Sequence, residues 1–102
     1  MIGFHFSDRA NYRTEIGYWL LPEYRGKGIV TRAVHHLCLL AFFEKGFNRI
    51  QIRCAVGNAA SNAIPQRLGF TQEGTERDGE LLITGEYTDI NVYSILKKEI
   101  EE

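Results

Sequence analysis

The sequence predicts an α/β domain built on a mixed sheet, with the element order strand, strand, helix, strand, helix, strand, strand. Three observations predict it. Met1 to Phe6 and Thr14 to Leu21 are short apolar and aromatic runs separated by a polar loop, which suits an antiparallel hairpin. From Ile29 the apolar residues Val30, Ala33, Val34, Leu37, Leu40 and Ala41 recur at helical spacing. Asn48 to Val56 then alternates again, and a strand-helix-strand passage implies a parallel pair with a right-handed crossover.

The chain has 102 residues, enough for one small domain over 1–102 that buries roughly two-thirds of its unfolded surface. Hydrophobic residues make up 44% and charged residues 25%, which excludes disordered and fibrous classes. A net charge of −1 argues against a nucleic-acid or membrane-surface binder. The longest apolar run, Leu37 to Phe43, is too short to span a bilayer. Cys38 and Cys54 share no metal-ligand spacing and are too few for a disulfide scaffold, so a reduced cytoplasmic setting is expected.

In order, Ile2, Phe4 and Phe6 alternate with Gly3 and His5 in the first strand, and Ser7 to Arg13 reads as a hairpin loop. The second strand carries Ile16, Tyr18, Trp19, Leu20 and Leu21 and stops at Pro22. The first helix should stop at Gly46, which tolerates a left-handed backbone. His35 and His36 point about 100° apart and read as a solvated face rather than a metal or proton-transfer site. In the third strand Ile50, Ile52, Cys54 and Val56 oppose Arg49, Gln51 and Arg53. Gly57-Asn58 leads into a short helix up to Leu68. Pro65 either kinks that helix or sits in its first turn, with the regular part starting near Ser61. A strand over Phe70 to Glu76, a turn at Arg77-Asp78-Gly79-Glu80 and a longer strand from Tyr87 to Leu96 follow. Lys97 to Glu102 reads as a fraying charged tail.

The stretch with chemistry in it is Arg25-Gly26-Lys27-Gly28, which opens directly into the first helix. A glycine-rich turn from strand to helix aims several N–H groups at one spot, with the positive end of the helix dipole behind them. Arg25 and Lys27 add formal charge where a diphosphate would sit, so the loop reads as a site for a phosphorylated cofactor. Its spacing fits neither a Walker A loop nor a dinucleotide fingerprint, since Thr31 stands where the third glycine belongs.

These residues resemble the acyl-CoA loop of the GNAT acetyltransferase superfamily, whose pattern is Arg/Gln-x-x-Gly-x-Gly/Ala. Arg25, Gly26, Lys27, Gly28 and Ile29 match it, and Val30 departs at the last position, which costs little if only backbone N–H groups are used there. Asn58-x-x-Ser61-Asn62 with Arg67-Leu68-Gly69-Phe70 resembles the family's second cofactor-contacting segment. Glu73-Gly74-Thr75, Arg77-Asp78-Gly79 and Tyr87-x-Asp89-x-Asn91-x-Tyr93 extend the match to the last strand. With Gly17-Tyr18-Trp19-Leu20, this ending looks most like the branch that acetylates N-terminal amines of ribosomal proteins. The resemblance implies a GNAT-like mixed sheet, β-β-α-β-α-β-β, comprising the C-terminal two-thirds of the family fold. Its first strand, two helices and second strand have no counterpart here, as in a truncated copy.

The resemblance also implies roles. The pantothenate arm of acetyl-CoA would bond to backbone near Leu20 and Leu21. Its diphosphate would be held by N–H groups from Gly26 to Thr31, thus Gly26, Lys27, Gly28, Ile29, Val30 and Thr31, with Arg25 beside them. Asn58 and Asn62 would bond the arm from the other side. Glu15 stands where several members keep a glutamate base, or is an exposed strand glutamate. Ser61 matches a serine proposed to protonate the leaving thiolate, or caps a helix; Tyr93 is an alternative donor. Cys38 looks structural, so no covalent acyl-enzyme is implied. The implied function is acetyl transfer to a primary amine, either a protein N-terminus such as that of a ribosomal protein or a small amine, by direct attack in a ternary complex. A remnant that binds acyl-CoA or dimerises without turnover is the alternative, and a plain nucleotide site a third. An uncovered first strand (Ile2, Phe4, Phe6) predicts a homo-oligomer.

Overall fold

The computed structural model describes residues 2–18 and 28–100. Strands β1 (Ile2–Asp8), β2 (Arg13–Tyr18), β3 (Arg49–Ala55), β4 (Thr71–Leu81) and β5 (Tyr87–Leu96) form one sheet in the order β1-β2-β3-β5-β4. The pair β2–β3 is parallel and the other three are antiparallel, as the strand-helix-strand passage predicts. Helices α1 (Ile29–Phe43) and α2 (Ala59–Arg67) cover the face carrying Ile16, Ile50, Ile52, Cys54, Tyr93 and Ile95. A four-residue helix, α3 (Lys97–Ile100), ends the described chain.

The hairpin between β1 and β2 is closed by Asp8, whose carboxylate accepts the backbone N–H and side-chain amide of Asn11 and the Arg13 guanidinium. A bulge between Phe4 and Phe6 leaves the Phe6 carbonyl to accept the Thr14 hydroxyl at 2.7 Å. The second strand was expected to reach Leu21; its last three residues lie outside the described ones. Helix α1 buries Val34, Cys38, Ala41 and Phe42, positions that recur every three to four residues, and His35 and His36 are exposed. Just past its end Gly46 adopts φ 76°, and the Phe47 N–H turns back to the Ala41 carbonyl.

The structure decides between the two readings of Pro65. Helix α2 starts at Ala59, so Pro65 stands in its interior and the alternative start near Ser61 does not hold. The turn expected at Arg77-Asp78-Gly79-Glu80 is not a strand end. Strand β4 continues to Leu81, and those residues form an irregularity in register between Glu76 and Glu80. Asp78 takes φ 49° there, and its N–H donates to the Asp89 carboxylate. The reversal comes later: the Leu82 N–H donates to the Glu86 carbonyl and Gly85 takes φ 89°. The predicted fraying of the tail is likewise corrected for Lys97–Ile100. Glu99 accepts the Leu96 N–H at 2.8 Å and Ile100 packs against the core, which holds the last turn in place.

Candidate active site

Among the described residues the sheet opens between β2 and β3. Strands β2 and β3 pair over only three positions, Arg13 with Arg49, Thr14 with Ile50 and Glu15 with Gln51. Beyond Glu15, strand β2 follows β1 alone, while β3 runs on beside β5 to Ala55. A cleft of about 580 Å³ lies where they part, lined among others by Glu15, Gly17, Tyr18, Arg53, Ala55 and Glu80. Backbone groups of Ile16 to Tyr18 that would bond to a neighbouring strand therefore face the cleft. Gly17 keeps its wall thin, since a Cβ there would lie 3.2 Å from that of His5.

Topology brings two helix N-termini to this same edge. Both α1 and α2 begin at the edge where the parallel strands end, so the positive ends of two helix dipoles converge there. Gly28 holds the N-cap of α1 at φ 71°, no side chain caps that end among the described residues, and its first turn has no acid. That combination leaves the N–H groups of Ile29, Val30 and Thr31 open to an anion. Arg32, one turn into α1, folds its guanidinium to 3.5 Å from where a Gly28 side chain would begin. Its position one turn beyond a left-handed glycine is the signal that marks it. Leu20, Leu21, Arg25, Gly26 and Lys27 lie outside the described residues.

At the start of α2 the residues predicted together are together. The N-cap is Asn58, not Ser61: its side-chain oxygen accepts the Ser61 N–H at 3.1 Å. Asn62 is 7% exposed and makes four hydrogen bonds within the protein. Its amide nitrogen donates to the carbonyls of Ala55 (2.9 Å) and Asn58 (2.7 Å). Its oxygen accepts from Asn91 (3.0 Å) and from the Tyr93 hydroxyl (2.8 Å). The Tyr93 proton is thus already committed. The Ser61 carbonyl, which Pro65 cannot reach with an N–H, accepts the Tyr18 hydroxyl at 2.8 Å. Burial chiefly, together with the Cys54 thiol 3.7 Å away, pushes the Tyr18 phenol far above its ordinary value. Tyr18 is the residue that reading the sequence missed. A proline four residues after Ser61 announces an orphaned carbonyl, but nothing in the chain says which hydroxyl fills it.

Glu15 belongs to the opposite face of the sheet, at the mouth of the cleft. It accepts the Gln51 amide at 2.8 Å, and Gln51 is held the right way round by Arg49, which donates to its oxygen at 3.1 Å. Arg49 also makes a two-pronged pair with Glu73, both contacts at 2.7 Å, and Ser94 donates to the same carboxylate. Hydrogen bonds from Arg49 first, then from Ser94, hold the Glu73 carboxyl down at about 2. A relay of neutral and charged groups therefore fixes Glu15 from behind. Neither thiol is poised as a nucleophile: burial pushes Cys38 up to about 12 and also raises Cys54.

The Acetyltransferase (GNAT) domain family matches residues 1–71, and the chain belongs to this family. YdaF of Bacillus subtilis is 48% identical over 101 residues, covering 99% of this chain and 55% of that protein. The ribosomal-protein-serine acetyltransferase of Escherichia coli is 34% identical over 99 residues, covering 92% of this chain and 52% of that protein. A microcin self-immunity acetyltransferase, solved with acetyl-CoA and AMP, superposes with a TM-score of 0.82 at 40% identity, over 93% of this chain and 52% of that one. The chain spans about half the length of the curated relatives it matches.

Proposed function

We propose that this chain carries the acyl-CoA site of an N-acetyltransferase acting on a primary amine, with a protein N-terminus such as that of a ribosomal protein as the acceptor. The observation that supports it best is the parting of β2 from β3 beneath two helix N-termini. An extended pantetheine arm can take the place of the missing ladder partner, and a diphosphate suits the start of α1. The residues present fit such a group: free strand backbone for the arm's amides, and Gly28, Ile29, Val30, Thr31 and Arg32 for anionic oxygens. Arg25, Gly26, Lys27, Leu20 and Leu21 belong to the same reading by sequence. The match to a relative named for ribosomal-protein acetylation supports the acceptor class.

When bound, acetyl-CoA supplies the activated acetyl group. Glu15 takes the proton from the attacking amine as general base, its carboxylate aimed by Gln51. Ser61 is the proton donor to the departing thiolate, and Asn58 holds the first turn of α2 that carries it. Asn62 anchors that turn to β3 and β5. The buried thiols take no part, and attack is direct.

Calorimetric titration with acetyl-CoA, with ATP as control, tests the reading. Saturable binding of acetyl-CoA alone is expected, and Gly28→Glu should abolish it by placing a carboxylate and a strained φ at the N-cap. No binding to the wild-type chain, or unchanged binding by that variant, refutes it. The same reading places the chain in the cytoplasm and in a homo-oligomer. Two unpaired cysteines and the exposed Phe6 on edge strand β1 support these points. Cell fractionation and sedimentation at tens of micromolar are the checks, and a sharp monomer boundary would remove the oligomer.

A further inference from the structure

We propose that Tyr18 is a positioning residue: its hydroxyl, bonded to the carbonyl that Pro65 leaves orphaned on Ser61, is a strut that fixes the width of the cofactor cleft. The inference rests on the acyl-CoA reading above and goes beyond it.

Two features meet in this contact. A helix interior normally returns each carbonyl to the N–H four residues on; for Ser61 that residue is Pro65, which has none. The carbonyl belongs to a residue only 8% exposed, and besides the Tyr18 hydroxyl it accepts, among the described residues, just the weak Cys54 thiol donor at 3.5 Å, so losing the hydroxyl would be costly. Elsewhere in α2 the pattern is intact: Asn62 donates to Asn58 and Leu68 to Ile64. The one interior acceptor opened by proline is the one to which a strand from across the cleft donates.

On the other wall, β2 has left β3 three positions before Tyr18, so no ladder sets the distance between them at that point. The Tyr18 ring lies among partly buried groups packed on the core, and its hydroxyl reaches Ser61 at 2.8 Å with Cys54 alongside at 3.7 Å. Among the described residues, this side chain therefore ties the end of β2 to α2, the element whose first turn carries Asn58 and Ser61. The strut stands where the arm of the cofactor passes, not where its nucleotide lies at the start of α1. Its loss should be felt by one half of the ligand only.

The test uses Tyr18→Phe, Pro65→Ala and the double variant, titrated by calorimetry with acetyl-CoA and with 3′,5′-adenosine diphosphate, which lacks the arm. Tyr18→Phe should weaken acetyl-CoA by about tenfold, the equivalent of one hydrogen bond, and leave the diphosphate within about twofold. Pro65→Ala returns an N–H to the Ser61 carbonyl, so in that background Tyr18→Phe should cost less than about threefold more. Wild-type affinity in Tyr18→Phe, equal losses for both ligands, or effects that simply add would overturn the strut. Should Tyr18→Phe fail to fold, Pro65→Ala alone decides by the same selectivity: a loss for acetyl-CoA only sustains the strut and wild-type affinity overturns it. If the wild-type chain binds no acetyl-CoA, the proposed function falls and hydrogen exchange judges the strut. Pro65→Ala should then speed exchange at Ile16 to Tyr18, and unchanged exchange overturns it.

Discussion

Replacing Asn62 by alanine removes four hydrogen bonds from one buried amide, and the structure allows the cost of each to be weighed. The Ala55 carbonyl also accepts the Asn58 N–H, and the Asn58 carbonyl also accepts the Asn62 N–H, so neither is left bare. Asn91 keeps Gln72 and Thr75 as donors to its oxygen and loses only the partner of its amide nitrogen. These three losses should cost about 0.5 kcal/mol each, the lower end for a neutral hydrogen bond. The Tyr93 hydroxyl is different. Its residue is 1% exposed, Gln66 only donates to it, and without Asn62 its proton has no acceptor. An unmet buried donor costs about 1–3 kcal/mol, which brings the total to about 2.5–4.5 kcal/mol. For a domain of this size that is a fall in melting temperature of roughly 10–36 °C. Urea unfolding of Asn62→Ala, Tyr93→Phe and the double variant measures it. Because the second substitution deletes the orphaned hydroxyl, Tyr93→Phe should be neutral or stabilising in the Asn62→Ala background although it destabilises the parent. A loss below about 1 kcal/mol, or strictly additive losses, would refute the account of Asn62 as the central node of α2.

Two further perturbations read other parts of the fold. A Cβ at Gly79 would lie 2.6 Å from the Ile90 Cγ1 and 3.1 Å from the Ile90 Cβ, so a buried side chain would have to shift. Gly79→Ala should therefore cost about 1–3 kcal/mol in thermal unfolding, and an unchanged melting temperature would show that the irregularity in β4 yields freely. Glu73 has a folded-state value of about 2 against an ordinary 4.5, so the folded state binds fewer protons. Its contribution is present above 4.5 and is lost as the pH falls toward 2. With the Glu73 side chain 41% exposed, screening limits that contribution to about 1 kcal/mol. Glu73→Gln should show this deficit at neutral pH and converge with the wild type on acidification; a deficit that persists into acid would contradict the pairing with Arg49.

Most of the architecture is legible in the chain because it is written in periodicity. Ile50, Ile52 and Cys54 name the buried face of β3, and Val34, Cys38, Ala41 and Phe42 the buried stripe of α1. Where the reading went astray, local chemistry was real but served another purpose. Asp78 and Gly79 have turn chemistry, yet the strand absorbs them as a bulge because the Asp89 carboxylate receives the Asp78 N–H. Ser61 has the makings of a cap, but the asparagine three residues earlier takes that role. Charge in the tail suggested fraying, whereas Glu99 and Ile100 find partners on β5 and in the core. Around the cleft the sequence marks Gly28, Asn58 and Asn62 by type. It names Tyr18 and Gln51 only as strand positions, because their importance comes from partners 43 and 36 positions away. Such pairings are decided by the topology of the sheet.

The two borders of that sheet are chemically unlike, and this gives the domain a handedness in how it can grow. On one border β4 is eleven residues long and exposed throughout, and it is studded with Glu73, Glu76, Arg77, Asp78 and Glu80 and broken twice in register. A second strand laid along it would meet misaligned donors and clashing charge. On the other border β1 packs Ile2 and Phe4 against the core, exposes Phe6, and has a single bulge and only one acidic residue, Asp8, at its far end. Of these two described borders, the β1 side is therefore the one less protected against pairing with another strand.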